Sequence, residues 1–124
     1  MKFFIALVLA LAICGFTTAQ QPVGGYTSIQ WDANNQQLVD ILNFGFEQAV
    51  PQAIAAGQIS KGDWNWTNVI SVQEQIVAGI NYDFIVDIED ESGDTTRMNL
   101  IIFVAPGGST MSLSNWAIFC MQNA

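Results

Sequence analysis

TNVISVQEQIVAGINYDFIVDIED, residues Thr67–Asp90, is the stretch whose pattern decides the fold. In its second half Tyr82, Phe84, Val86 and Ile88 alternate with Asn81, Asp83, Asp87 and Glu89, and only Ile85 interrupts the period. Successive side chains of an extended chain point to opposite faces, so Ile80 to Asp90 reads as a strand with one buried face. Upstream, Thr67 to Val77 is rich in β-branched residues (Thr67, Val69, Ile70, Val72, Ile76) and predicts the antiparallel partner of that strand. The two meet in a hairpin at Gln75-Ile76-Val77-Ala78-Gly79. Glycine suits such a tip, because without a Cβ it reaches φ > 0 and lets the loop approach another backbone closely.

Downstream, Arg97 to Val104 sets Met98, Leu100, Ile102 and Val104 on one face, and Leu113 to Met121 sets Trp116, Ile118 and Cys120 against Ala117, Phe119 and Met121. Asp87, Glu89, Asp90, Glu91 and Asp94 crowd the first of these connections. Gly93 is misplaced for a calcium-binding EF-hand loop and no closing glutamate follows, so the segment reads as a solvated hairpin tip. On the other side, Leu38, Ile41, Leu42 and Phe46 recur at helical spacing, with Val39, Phe44, Ala49 and Val50 widening the apolar face. Asp32 or Asn34 is the expected N-cap, and Pro51 and Gly57 discourage continuation, which predicts a helix from about Ala33 to Ala49. Ser28-Ile29-Gln30 begins a short strand before it, and Gln52 to Asn65 is an unpatterned connection after it. One early helix followed by a meander predicts an α+β domain, one long α-helix packed on an antiparallel β-sheet of four to five strands. The four tryptophans, Trp31, Trp64, Trp66 and Trp116, suit packing against that sheet better than an exposed carbohydrate platform.

Met1-Lys2, the apolar run Phe3 to Ile13 and the small residues ending Thr17-Thr18-Ala19 have the layout of a secretory signal peptide. Cleavage after Ala19 would leave residues 20–124 as one secreted domain of 105 residues, too small for separate cofactor and substrate domains. The mature chain then holds Lys61 and Arg97 against eleven carboxylates, a formal charge of −9. Such a surface repels phosphate backbones and anionic membranes, so nucleic-acid and membrane binding are excluded as expectations. Cys120 would be the one remaining cysteine, so no intramolecular disulfide is expected in an oxidising compartment. A monomer is expected, with a domain-swapped or Cys120-linked dimer as the alternatives. The chain has no histidine, which removes Ser-His and Cys-His nucleophile pairs and disfavours an enzyme; no cofactor or metal is implied. Asn65-Trp66-Thr67 is an N-glycosylation sequon for a host that glycosylates exported proteins.

The hairpin pentapeptide Gln75-Ile76-Val77-Ala78-Gly79 resembles the first inhibitory hairpin of the cystatins, whose pattern is Gln, any residue, Val, any residue, Gly. The similarity extends through Ile80-Asn81-Tyr82, to Asp32-Ala33-Asn34 before the helix, and to Gly24, followed by Gly25, ahead of the first strand. The resemblance implies a curved five-stranded antiparallel sheet gripping a long helix. It also implies a function: reversible, competitive inhibition of papain-like cysteine proteases by a wedge of three segments. These would be the N-terminal trunk Pro22-Val23-Gly24, the hairpin Gln75 to Gly79, and a second hairpin at Pro106-Gly107. Two departures stand out. Secreted cystatins usually carry Pro-Trp in the second hairpin, where this chain has Ala105-Pro106-Gly107-Gly108. Their paired disulfides are also missing: Cys120 resembles the final cysteine, but Met98 or a neighbour stands at its partner's position. The alternative is thus a secreted protein of cystatin fold without inhibitory activity, serving a structural or interaction role. No Ser-Asn-Asp follows the helix, so the legumain-inhibiting loop of some cystatins is not expected.

Overall fold

The computed structural model describes residues 25–108 and 110–119. Five strands run β1 (Tyr26–Ile29), β2 (Trp64–Val77), β3 (Gly79–Asp90), β4 (Thr95–Val104) and β5 (Met111–Phe119). Between β1 and β2 lies the helix α1 (Gln36–Ala55), and a 3-10 turn, Pro106–Gly108, joins β4 to β5. The strands form one antiparallel sheet in the order β1-β2-β3-β4-β5. This is an α+β arrangement in which every strand neighbours the next in sequence.

The alternation in β3 has the expected result. Tyr82, Phe84, Val86 and Ile88 are buried beneath α1, together with Val72 of β2 and Met98, Leu100, Ile102 and Val104 of β4. From the helix side Leu38, Ile41, Leu42, Phe46, Ala49 and Ala53 complete this core. Gly45 is buried as well, and a Cβ there would stand 2.5 Å from Ile102 Cδ1, so the missing side chain lets α1 lie close on β4. Polar residues and Ile85 occupy the outer face of β3 at intermediate exposure.

Four expectations are corrected. The helix begins later, capped by Asn35, whose Oδ1 accepts from the Leu38 amide at 3.2 Å; Asp32 instead accepts from the Asn34 amide in the preceding turn. It also continues through Pro51 to Ala55. Proline removes the bond to the carbonyl four residues back, here that of Glu47; both residues are exposed, so water can take the place of the lost donor. The helix stops where the Gly57 and Gln58 amides turn back to the Ile54 and Ala53 carbonyls, both at 2.9 Å. Finally, β2 starts at Trp64 rather than Thr67, and β5 spans Met111–Phe119, two residues earlier than expected at its start. The early start of β2 is accommodated by register shifts that leave Thr67 and Ile70 unpaired, bulges that bend the strand and increase its twist.

The tryptophans pack on this frame. Trp64 is buried and donates to the Ser60 carbonyl at 2.9 Å, and Trp116 donates to Gln52 Oε1 of α1 at 3.0 Å. Trp31 meets Trp66 edge-on at 5.9 Å between centroids, and Trp66 donates to Asn43 Oδ1 of α1 at 2.8 Å. Among the described residues no helix is long and apolar enough to cross a membrane.

Candidate functional site at the uncharged end of the sheet

Antiparallel order carries three chain segments to one end of the sheet. β1 begins there, with Tyr26 opposite Gln75. The β2–β3 turn closes there, with Ile76 opposite Ile80, Val77 opposite Gly79 and Ala78 alone unpaired. Val104, opposite both Ile80 and Met111, brings the β4–β5 connection alongside, and the Pro106–Gly108 turn touches β3. Ala105 N–H donating to the Thr110 carbonyl at 2.9 Å closes that connection at its base.

Within the pentapeptide the residues divide between support and display. Gln75 lies below the tip on the outer face, where its Oε1 accepts from Asn81 Nδ2 at 2.9 Å and ties β2 to β3. Gly79, expected at the tip for close approach to another molecule, has φ +118 and packs against β4 instead. A Cβ at that position would stand 2.6 Å from both Phe103 Cζ and the Val104 carbonyl oxygen. It is glycine because β4 lies there. Ile76, Val77 and Ala78 are the displayed residues: Ile76 is 70% and Val77 47% exposed. Ile76 belongs by alternation to the buried face of β2, yet it extends past the core that covers Val72.

At the second connection Pro106 and Gly107 are exposed, with Gly107 at φ +88 and open space around it. Gly25, φ +100, stands against the Gln75 side chain. The trunk residues Pro22, Val23 and Gly24 lie outside the described residues, as do residues 1–19 and Cys120. Asn65 is exposed on β2 at the opposite end of the sheet, paired with Glu89 and remote from the tip. Sequence reasoning missed Gly25, Asn81 and Phe103 as supports. The available signal was Phe103 itself, an aromatic on the face of β4 opposite its buried residues.

Electrostatically this end is blank. No charged residue occurs in residues 75–82, nor anywhere after Arg97. The nearest ionisable groups lie a step or more below the tip. Burial pushes the Asp83 carboxyl up, opposed by a hydrogen bond from Asn99, and burial with the Asp83 charge raises Tyr26. Tyr82 is raised by burial and then by Glu74. No protein-family model matches this chain, and no curated protein sequence matches it. What this end can do follows from its own residues. Its most exposed large apolar side chain, Ile76, and Val77 beside it are presented on a tight turn of backbone.

Proposed function

We propose that the protein is a reversible, competitive inhibitor of papain-like cysteine proteases, built on a cystatin-like fold and exported after removal of residues 1–19. The observation that carries this reading is the convergence of three uncharged segments at one end of the sheet. These are the start of β1, the Ile76-Val77-Ala78 tip and the Pro106-Gly107 turn. A row of tight turns on one sheet is ordered before docking, which lowers the entropy lost on binding. Ile76 and Val77 would supply apolar contact at the centre of a cleft, with the β4–β5 turn beside them and Pro22-Val23-Gly24 as the third segment of the wedge.

The competing reading, a non-inhibitory interaction protein on the same fold, has one observation in its favour: Gly107 presents no aromatic surface where an anchor would be wanted. Progress-curve inhibition of papain with the exported protein separates the two. Saturable, substrate-competitive inhibition supports the inhibitor, and none at high micromolar concentration hands the case to the alternative.

A further inference from the structure

The two edges of the sheet are built differently. On one side β1 covers only Val72 to Gln75, and the rest of β2 is broken by the bulges at Thr67 and Ile70. Short edge strands and bulges discourage a further strand from adding. On the other side β5 is nine residues long, with no charge and no proline and a single register shift, at Ser114. Among the described residues its outer edge pairs with nothing. Such an edge presents N–H and C=O groups that another strand can use.

We propose that this edge pairs antiparallel with β5 of a second copy, about a two-fold axis between Ser114 and Asn115, joining two five-stranded sheets into one of ten. A strand paired about a two-fold is its own complement. The register shift at Ser114 puts Met111, Leu113, Trp116 and Ile118 on the helix face, so like faces meet when Met111 lies opposite Ile118 of the partner subunit, Leu113 opposite Trp116 of the partner subunit, and Ser114 opposite Asn115 of the partner subunit. The distribution of charge selects this arrangement. The net charge of −8 opposes self-association in general, but every carboxylate lies between Asp32 and Asp94. On the sheet they gather toward the Asp87–Asp94 end, where β5 finishes opposite Arg97. Antiparallel pairing places each acidic end beside the other copy's uncharged end. The two Phe119 residues then stand about 30 Å apart at roughly 3.3 Å per residue, more than three Debye lengths of about 8 Å. Parallel pairing would bring the acidic ends together. Both Ile76-Val77-Ala78 tips stay free and point in opposite directions, so the association is independent of protease binding.

Sedimentation equilibrium of the mature protein from about 1 to about 500 µM tests the pairing, since mass action makes a weak dimer concentration-dependent. The wild type should move from one chain to two, unchanged by reducing agent. Asn115 is exposed, and both Asn115→Lys and Asn115→Asp should weaken the dimer at least tenfold by setting like charges side by side across the axis, while an equimolar mixture of the two recovers it. Ile70→Lys, on the bulged edge, should leave the dimer intact. Circular dichroism checks that each variant folds. Hydrogen exchange of the wild type gives a reading that needs no variant: β5 amides should gain protection at high concentration. A wild type monomeric throughout overturns the proposal. So does a dimer lost on reduction, a mixture that stays monomeric, β5 exchange indifferent to concentration, or a dimer sensitive to Ile70→Lys and not to Asn115→Lys.

Discussion

The two turns at either end of β3 solve the same problem in opposite ways. At the β3–β4 turn Asp90 holds the loop by itself: its Oδ1 accepts from the Ser92 amide at 2.9 Å, the Ser92 hydroxyl at 2.8 Å and the Asp94 amide at 2.9 Å. The backbone closes twice more, from Gly93 and Asp90 amides to the Asp90 and Asp94 carbonyls. Gly93 has φ +95 and open space where a Cβ would go. The β2–β3 turn shows no comparable side-chain brace at Ala78; it rests on β4 through Gly79 and exposes Ile76 and Val77. A turn that satisfies its own polar groups suits water. A turn held by its neighbours leaves its apolar side chains free to be covered by something else.

The sharpest way to break this contrast is to place the same residue in both turns. Gly79→Val must pay for positive φ and for collision with Phe103 and the Val104 carbonyl, about 3 kcal/mol in all. Gly93→Val meets only the backbone strain, about 1 kcal/mol. Urea unfolding measures both, and equal losses would mean that β4 gives way easily and that Gly79 is not a packing residue.

Next in size is the effect on binding. Ile76→Asp, at an exposed position, should leave stability within about 0.5 kcal/mol. It should weaken papain inhibition roughly 30-fold, as expected for an anchor worth about 2 kcal/mol. Glu91→Lys at the other turn should leave inhibition within about twofold. A smaller change is expected at the β4–β5 turn. Gly107→Trp has room, but positive φ there costs about 1 kcal/mol of an aromatic's roughly 2 kcal/mol, leaving about a fivefold gain in affinity.

The smallest effect concerns pH. Desolvation pushes the Asp90 carboxyl up, but the hydrogen bonds from Ser92, Asp94 and Gly93 outweigh it and hold the group below the usual carboxylate range. A folded-state pKa below the unfolded value contributes stability above the ordinary pKa, lost as pH falls through the lowered one. Asp90→Ala should therefore be slightly less stable than wild type at neutral pH, with thermal melts converging in acid. Asp83 has the opposite sign: its raised carboxyl costs stability at neutral pH, and that cost fades as pH falls toward the ordinary carboxylate range. Asp83→Asn, melted across the same range, should lack that gain on acidification.

Several features were legible in the residues because their causes are local. Alternation from Asn81 to Glu89 named the buried face of β3, and the same rule on β4 found Met98, Leu100, Ile102 and Val104. Helical spacing found Leu38, Ile41, Leu42 and Phe46, all of them buried. The residue types fixed an uncharged hairpin at Gln75 to Gly79 and an acidic one at Asp90 to Asp94. What lay beyond reach was whatever depends on a neighbour distant in sequence. Pro51 stops a helix only where the orphaned carbonyl cannot find water, and exposure of Glu47 follows from which face of α1 meets the sheet. The bulges at Thr67 and Ile70 appear only once β2 is paired with β3. Likewise Gly79 reads as a displayed tip until Phe103 and Val104 are set against it, because a period-2 pattern gives the face of each strand but not which strand lies beside it. The sequence by itself thus determined the elements and their buried faces. Tertiary structure decided which turn leans on which, since only pairing brings residues 25, 79 and 104 to one end.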